Sequence, residues 1–483
     1  MVTMLSSRVP KRSLSPSMHQ PDIAVIIPCH NAATFLDETF ESIRRQTVIA
    51  SRTKQREAVE KQGGEEEKFG GEKAQKLGDN SDGSDSSRLL VSTASGGSLS
   101  VLDAGLLVEV CVYDDASTDA TPEILRTWKG RFQEIGVQMH IGGPNTTKSS
   151  GSTEKGVREK GSSSRGGATS EQYVQPKIKS EPLGVGGAKN AAVALSSAPF
   201  LCFHDADDLM EPSRLQIQYD TACSLRNFIV GSRFRREPAD STERYAKWLN
   251  ELSPEQLYTQ RWRECTLLMP TWFLHRSVFE RQGGFEDGKG AGRLCCTAEE
   301  LQRSCRGDAT SSSSSSSLFE FRGGIPEDLL FLYRHLRAGG GLMRVDEALL
   351  VYRYHAQCAS FRVDWRDIWD VRFREFERDV LDKWTDFGVW NAGKEGRHFL
   401  RSLSEKNRNK VRCFYDVDKK KVEGMKFYVD SQDPLKRKVP IKHWTEAKPK
   451  FVTCVKYMIT GGTFEEYLAS LNLKEGIDFF YFS

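Results

Sequence analysis

No stretch of this sequence approaches the roughly 18 consecutive apolar residues that a membrane span needs, so a protein that works away from the membrane is expected. The opening stretch Met1–Gln20 has no apolar h-region, which argues against a secretory signal. It also lacks acids, as organelle-targeting leaders do, but a cytoplasmic location is the expectation. Charge of one sign is scarce as well. Lys and Arg number 69 against 66 Asp and Glu, a net of +3, too little for the chain as a whole to announce nucleic-acid binding. Any contact with RNA must therefore come from local basic patches. The eleven cysteines are scattered and contain no CxxC pair, which excludes a disulfide frame and fits reduced thiols. A GxxxxGK[ST] phosphate loop is missing too.

What is present is enough apolar material for two or three domains in 483 residues, organised as an α/β pattern. Ile23–Pro28 reads as a buried strand, followed by a turn and an amphipathic helix with Phe35, Leu36, Phe40 and Ile43 on one face. Leu106–Tyr113 is a second strand, and Thr121 with Pro122 marks a helix start, with Thr as N-cap. Gly184–Leu195 reads as a helix leading into the short apolar strand Phe200–Phe203. Further strands are expected at Phe228–Gly231 and Leu349–Tyr352, and a helix from Pro326 that ends at Gly339-Gly340-Gly341. Three stretches, near 50–100, 145–180 and 287–321, collapse to Lys, Glu, Gly and Ser. All three read as low-complexity insertions, and the first of them, with the N-terminal 1–21, is expected to be disordered.

Trp365, Trp369, Phe373, Phe376, Val380 and Trp384 recur at helical spacing, so 362–385 reads as a packing helix between a unit over 22–361 and a smaller one over 386–483. The smaller unit begins strand, Asn391-Ala392-Gly393-Lys394-Glu395-Gly396, helix, with Asp416 after the next strand. That order imitates a dinucleotide fingerprint whose first glycine is replaced by Asn391. It is read as a Rossmann-like domain serving structure or docking, with nucleotide binding as the alternative.

The chemistry concentrates where strands end. Asp114 and Asp115 follow one strand and His204-Asp205-Ala206-Asp207-Asp208 follows another, while Glu327 and Asp328 open a helix. Open α/β sheets bind ligands at those ends. Clustered carboxylates repel unless something positive offsets them, and hard oxygen donors suit Mg2+ or Mn2+. Lys189, among glycines near a helix start, is placed to meet an anion. Asp208 is read as a cap for the helix that follows the acidic run.

Taken in order, Pro28-Cys29-His30-Asn31, Asp114-Asp115-Ala116-Ser117-Thr118-Asp119, Ala188-Lys189-Asn190, Asp205-Ala206-Asp207-Asp208 and Glu327-Asp328 resemble the motifs of family 2 glycosyltransferases. The resemblance implies a GT-A fold, a UDP-sugar donor and an inverting transfer that depends on a divalent metal, Mn2+ or Mg2+. It makes Pro28, Asn31, Asp114, Asp115, Lys189, Asp205 and Glu327 the nucleotide-sugar residues, with Asp115 reading the uracil edge. Lys189 stands where the family usually has Arg, toward the pyrophosphate. Asp205, Asp207 and His355 become metal residues, and Asp328 the catalytic base.

The segments Met269-Pro270-Thr271-Trp272-Phe273, Gly324–Phe331, Leu350–His355, Val389–Arg397 and Cys413–Asp418 are similar, more narrowly, to family members that act on transfer RNA. This implies UDP-galactose as donor and queuosine in the anticodon of tyrosine tRNA as acceptor, with Lys419-Lys420-Lys421 and Lys436-Arg437-Lys438 available for phosphate contacts. Two readings compete. One keeps the enzyme class but moves a sugar such as N-acetylglucosamine to a protein, lipid or glycan; the missing QxxRW segment argues against a polysaccharide synthase. The other is a nucleotide- or RNA-binding protein of the same fold without catalysis. The sequence leaves the oligomeric state open.

Overall fold

The computed structural model describes residues 20–53, 105–144, 181–287 and 321–483. The expected insertions and the N-terminal segment lie, apart from their margins, outside the described residues. At one margin the chain is still helical over 47–53.

Apolar runs bounded by turn residues become the central strands. β1 (Ile23–Cys29), β2 (Val108–Asp114), β3 (Gln138–Gly142) and β4 (Phe200–Phe203) pair in parallel in the order β3-β2-β1-β4. Every residue of β4 is buried, the mark of a strand covered on both faces. The sheet continues through β7 (Phe273–His275), β6 (Phe228–Glu237), β8 (Gly341–Arg353) and β5 (Leu209–Met210) to eight strands of mixed direction. β6 and β8 are far longer than the apolar cores expected for them, because ten residues of each pair in parallel through a bulged register. β5 pairs Leu209 with Val351 of β8, which draws the acidic run against the end of β8.

Helices Leu36–Arg44, Thr121–Glu134 and Gly184–Ala194 cover the parallel half. Thr121 is the first helical residue, not the N-cap. Its backbone N–H donates to Asp119 Oδ1 at 3.0 Å, and its hydroxyl accepts from Ala32 N at 3.0 Å. The N-cap position is Ala120, which has no polar side chain to cap with, and Asp119 just before it accepts from the first helical amide instead.

A second, six-stranded sheet is built from β9 (Phe387–Trp390), β10 (Val411–Asp416), β11 (Phe427–Val429), β12 (Lys438–His443), β13 (Phe451–Thr453) and β14 (Phe479–Tyr481) in the order β11-β12-β10-β9-β13-β14. Setting aside antiparallel β11, its parallel strands follow the 3-2-1-4-5 order of a doubly wound sheet. The fingerprint loop after β9 is filled by its own chain. Asn391, at φ 97°, donates from Nδ2 to Cys454 O at 2.8 Å and accepts from Gly393 N at 2.7 Å. Asp416 is buried and accepts from Ala392 N at 2.8 Å and Lys421 Nζ at 2.9 Å. The acid that would meet a ribose is thus occupied within the protein, against the dinucleotide alternative.

Helix Trp365–Asp379 packs between the two sheets. Phe376 meets Trp262 at 5.4 Å on one side and Phe482 at 5.1 Å on the other. Trp365 departs from the expected apolar face: it is 62% exposed and meets His398 edge-on. Glu475 adds polar contacts across the same junction, accepting from Thr259 Oγ1 at 2.5 Å and Gln256 Nε2 at 3.2 Å. Among the described residues, no helix is long and apolar enough to cross a membrane.

Candidate active site

The carboxyl ends of β1, β2 and β4 lie side by side, since Cys29 is in register with Asp114 and Ile26 with Phe203. Their loops face one crevice. On its first side, Asp115 N–H donates to Cys29 O at 2.7 Å, tying the two strand ends. The Asp115 carboxylate accepts from Leu183 N at 2.6 Å and Gly184 N at 2.9 Å. It thereby satisfies the free amides at the start of helix Gly184–Ala194, where a negative charge is favoured. Asp114 is buried, with Oδ1 accepting from Ser117 N at 3.0 Å. Asn31, in the left-handed region at φ 51°, accepts from Thr118 N at 2.8 Å and donates its own N–H to Ser117 Oγ at 2.8 Å. Pro28 is half-buried opposite Tyr113.

Lys189 sits well inside the helix rather than at its start, and it is 2% exposed. Its ammonium donates to Glu327 Oε1 at 2.7 Å and lies 5.4 Å from the centre of the Phe285 ring. A phosphate contact was expected of this lysine; the structure commits it to an ion pair bridging Gly184–Ala194 and helix Glu327–Arg337. Burial alone would push the ammonium down, but Glu327, Asp205 and Asp328 around it reverse that and hold it above the usual lysine range.

Asp328 is half-buried, and its Oδ1 accepts from Leu329 N at 2.7 Å. Desolvation, with Glu327 beside it, pushes its carboxyl up to about 7 against the opposing pull of Lys189. A carboxyl poised there can take a proton near neutrality. Asp205 is pushed to about 6, again by desolvation first, with Lys189 opposing and Asp207 and Glu327 adding to the rise.

The backbone of the acidic run is pinned from outside. The Thr39 hydroxyl reaches Ala206 O at 2.9 Å and Asp208 O at 3.0 Å. The Arg353 guanidinium bonds Asp207 O, the Glu38 carboxylate and Thr39 Oγ1. Asp207 Oδ2 lies 2.9 Å from His355 Nε2, and the His355 ring stacks on Phe35 at 4.4 Å. Asp208 does not cap a helix: it accepts from Arg353 N at 2.9 Å, while its buried Oδ2 has no hydrogen-bond partner. Burial and the neighbouring Asp207 and Asp205 push its carboxyl well above the usual range.

One carboxylate oxygen from each of Asp205, Asp207 and Asp208 lies within 4.8 Å of the others. This set of hard oxygen donors, with an orphaned oxygen on Asp208, fits a Mg2+ or Mn2+ ion. His204, first in the run, is fully buried, with Nδ1 3.1 Å from Arg214 Nη1. Burial and the two nearby guanidiniums of Arg214 and Arg353 push it well below the usual histidine range, so it stays neutral.

Sequence reasoning missed Arg353, Glu264 and Cys358. Arg353 carried a signal, a cation immediately after a strand and two residues before His355. Glu264 keeps 37% of its side chain accessible. Its carboxyl is nonetheless raised, chiefly by desolvation, and it acts on Asp328. Its carboxylate lies 3.7 Å from Arg372. Nothing local in the sequence marks it.

Residues 167–283 match the family model described as Glycosyl transferase family 2. The first fourteen of these lie outside the described residues; the rest carry Lys189 and the acidic run. On this match the protein is a glycosyltransferase, and its mixed α/β sheet is that of the GT-A fold. Among solved structures, S. aureus TarS 1-349 in complex with UDP-GlcNAc is 12% identical, covering 80% of this chain and 71% of that one at a TM-score of 0.38. Mannosyltransferase PcManGT from Pyrobaculum calidifontis in complex with GDP-Man and Mn2+ is 13% identical, covering 77% and 68% at a TM-score of 0.39.

Proposed function

We propose that the protein transfers galactose from UDP-galactose to a hydroxyl of queuosine in the anticodon of tyrosine tRNA, by a metal-dependent inverting displacement. The donor sugar and the nucleoside rest on the resemblance of motifs. The transfer chemistry rests on one observation above all: Asp328, a carboxyl raised to about 7, opens the helix whose Glu327 is ion-paired with Lys189, beside the acidic run.

In this reading Asp328 accepts the proton of the acceptor hydroxyl as that oxygen attacks the anomeric carbon. The bond from that carbon to the UDP oxygen breaks, and UDP leaves with the electron pair. Asp205, Asp207 and Asp208 would hold the divalent cation, with His355 orienting Asp207 at 2.9 Å. When bound, the cation supplies positive charge against the diphosphate. Asp115, Asn31 and Asp114 shape the nucleotide end of the crevice, and holding both substrates in line supplies much of the remaining rate. Lys189 acts on this site by charge from behind the Glu327 carboxylate.

For tRNA, the C-terminal cations are unequal. Lys421 and Arg437 are committed to Asp416 and Asp433, each at 2.9 Å. Lys419, Lys420 and Lys438 are exposed and available for phosphates. The test is to incubate the protein with UDP-galactose, Mn2+ and queuosine-containing tRNA and to weigh the digested nucleosides. A hexose on queuosine is expected. Transfer to another acceptor, with none to queuosine-tRNA, would sink this assignment.

A further inference from the structure

Three arginines stand on the C-terminal half of β6, and two of them are paired with carboxylates. Arg233 meets Asp346 at 3.1 Å, and Arg235 bonds Glu211. Arg236 has no ion pair among the described residues, and its buried Nε and Nη1 have no hydrogen-bond partner. Rings surround it instead. Its guanidinium carbon lies 4.3 Å from the ring centre of Tyr352, the residue opposite it on β8, and 5.2 Å from that of Tyr354. Phe234 at 5.4 Å and Tyr245 at 5.5 Å complete the box. Nη2 is the one nitrogen not sealed in this way. The box opens outward through Tyr354, whose ring meets Phe361 at 5.4 Å, and Phe361 is 56% exposed. Arg362, next in the chain, is exposed and carries no ion pair among the described residues.

The box borders the candidate active site. Tyr352 and Tyr354 flank Arg353, which bonds Asp207 O, and Tyr354 precedes His355, which meets Asp207 at 2.9 Å. The turn that carries Phe361 is tied to the segment leading to Asp328, where Gly324 N–H donates to Arg362 O at 2.7 Å. Burial raises the Tyr245 hydroxyl, and the charges of Glu264 and Asp328 add to the rise. In sheet order β6 and β8 lie beyond β4 from β1 and β2, whose loops form the nucleotide end of the crevice. The box is therefore on the acceptor side. An open aromatic face takes an unstacked nucleobase, and a guanidinium that no carboxylate occupies keeps its charge for a phosphate. We infer that Phe361 and Arg236 form an acceptor subsite for single-stranded RNA, in which Phe361 stacks the base of a nucleotide flanking the modified one and Arg236 meets a phosphate through Nη2. The subsite rests on the tRNA reading above.

The probe is a labelled anticodon stem-loop of tyrosine tRNA carrying queuosine, bound to the full chain without donor and followed by fluorescence anisotropy. A fully paired RNA duplex serves for comparison. Phe361→Ala should weaken stem-loop binding about five- to hundredfold, the effect of losing one base from an aromatic ring. Arg236→Met should weaken it too, and should lower the slope of log affinity against log salt by about one. Loss of packing alone would not move that slope. The duplex, whose bases stay stacked on each other, should bind the parent and Phe361→Ala alike. Because Phe361 is exposed, its variant reads the subsite even where Arg236→Met fails to fold. Stem-loop affinity unchanged in Phe361→Ala, or an unchanged salt slope in Arg236→Met, overturns the subsite and leaves the tRNA reading standing. A parent chain that neither binds the stem-loop nor transfers hexose to it overturns both. Poly-glutamate that displaces the stem-loop equally from the parent and from Phe361→Ala marks a site for an acidic protein and overturns the RNA assignment.

Discussion

Replacing Lys189 with methionine separates two roles that the residue could have. In the structure its ammonium is nearly sealed from solvent and bonded to Glu327 at 2.7 Å, with Asp205 and Asp328 near enough to act on it. Methionine keeps the volume and removes the charge. Glu327 is then left buried without its cation, and breaking a buried pair in that way costs about 3–5 kcal/mol. At about 2–4 °C per kcal/mol for a domain of this size, Tm should fall by roughly 6–20 °C. The second consequence is electrostatic. Lys189 is the chief influence lowering Asp328, so its loss raises that carboxyl further. A base must be ionised to act, and below its pKa the rate falls about tenfold per pH unit. The acid limb of kcat/KM for UDP-sugar turnover should therefore move to higher pH in Lys189→Met. Adding Glu327→Gln should recover much of the lost stability, since the unpaired charge is gone. Calorimetry and a pH series of UDP release measure both effects. If donor KM rises while Tm and the acid limb stay put, Lys189 touches the pyrophosphate and the ion-pair reasoning fails.

Three further outcomes are expected. Asp328→Asn should abolish transfer while UDP binding, followed by titration calorimetry, stays close to normal; with Asp328 present, kcat/KM should rise with pH through about 7. Equal loss of UDP binding would remove Asp328 from the role of base. Asp207→Asn should erase the rise in Tm that Mn2+ gives the parent protein, because it removes the central member of the three-carboxylate set. Phe376→Ala should lower stability by about 3–5 kcal/mol, because this ring fills the space between Trp262 and Phe482. A thermal melt that loses cooperativity across the two sheets would locate the damage at their junction.

What could be read in advance follows from how local each cause is. β2 and β4 are short, mostly apolar and closed by acidic turn residues, so the sites of Asp115 and Asp205 were legible as strand ends. β6 and β8 were read short because Arg233, Arg235 and Arg236 in one, and Arg344, Asp346 and Glu347 in the other, interrupt the apolar signal. Their length comes from pairing with each other, which no window on one strand contains. The partner of Lys189 was hidden for a related reason. The helix begins at Gly184, which puts Lys189 more than a turn inside it, facing a glutamate 138 residues away. Asp208 was read as a cap because caps are local, but its partner is the backbone of Arg353 at the end of β8. The fold and the acids were written in neighbouring residues; the pairings among the acids were written in the sheet topology.

Those pairings leave the site short of positive charge. Arg353 reaches the acidic run, yet its guanidinium is spent on Glu38 and on the backbone of Asp207 rather than on the Asp207 carboxylate. Arg214 bonds His204, Gln218 and two backbone carbonyls. Among the described lysines and arginines, Lys189 is the one ion-paired within the group formed by Asp205, Asp207, Asp208, Glu327 and Asp328, and His355 meets Asp207 at 2.9 Å. Burial raises the carboxyls of Asp328 and Asp205, neighbouring carboxylates add to the rise, and Lys189 offsets only part of it. For Asp328 the sign of the pH effect is fixed: a folded pKa near 7 above an unfolded value near 4 means the folded state holds the extra proton. Its contribution to stability is therefore present at acid pH and lost as pH rises through about 7. A site in that condition gains from a cation that binds the folded state, and the gain should grow when the resident cation is removed. Mn2+ should accordingly bind Lys189→Met more tightly than the parent chain, measured by calorimetry at one pH near neutrality. Equal or weaker binding would mean that Lys189 does not share the field of the metal carboxylates, and that the acidic run and the Asp328 helix are not one electrostatic site.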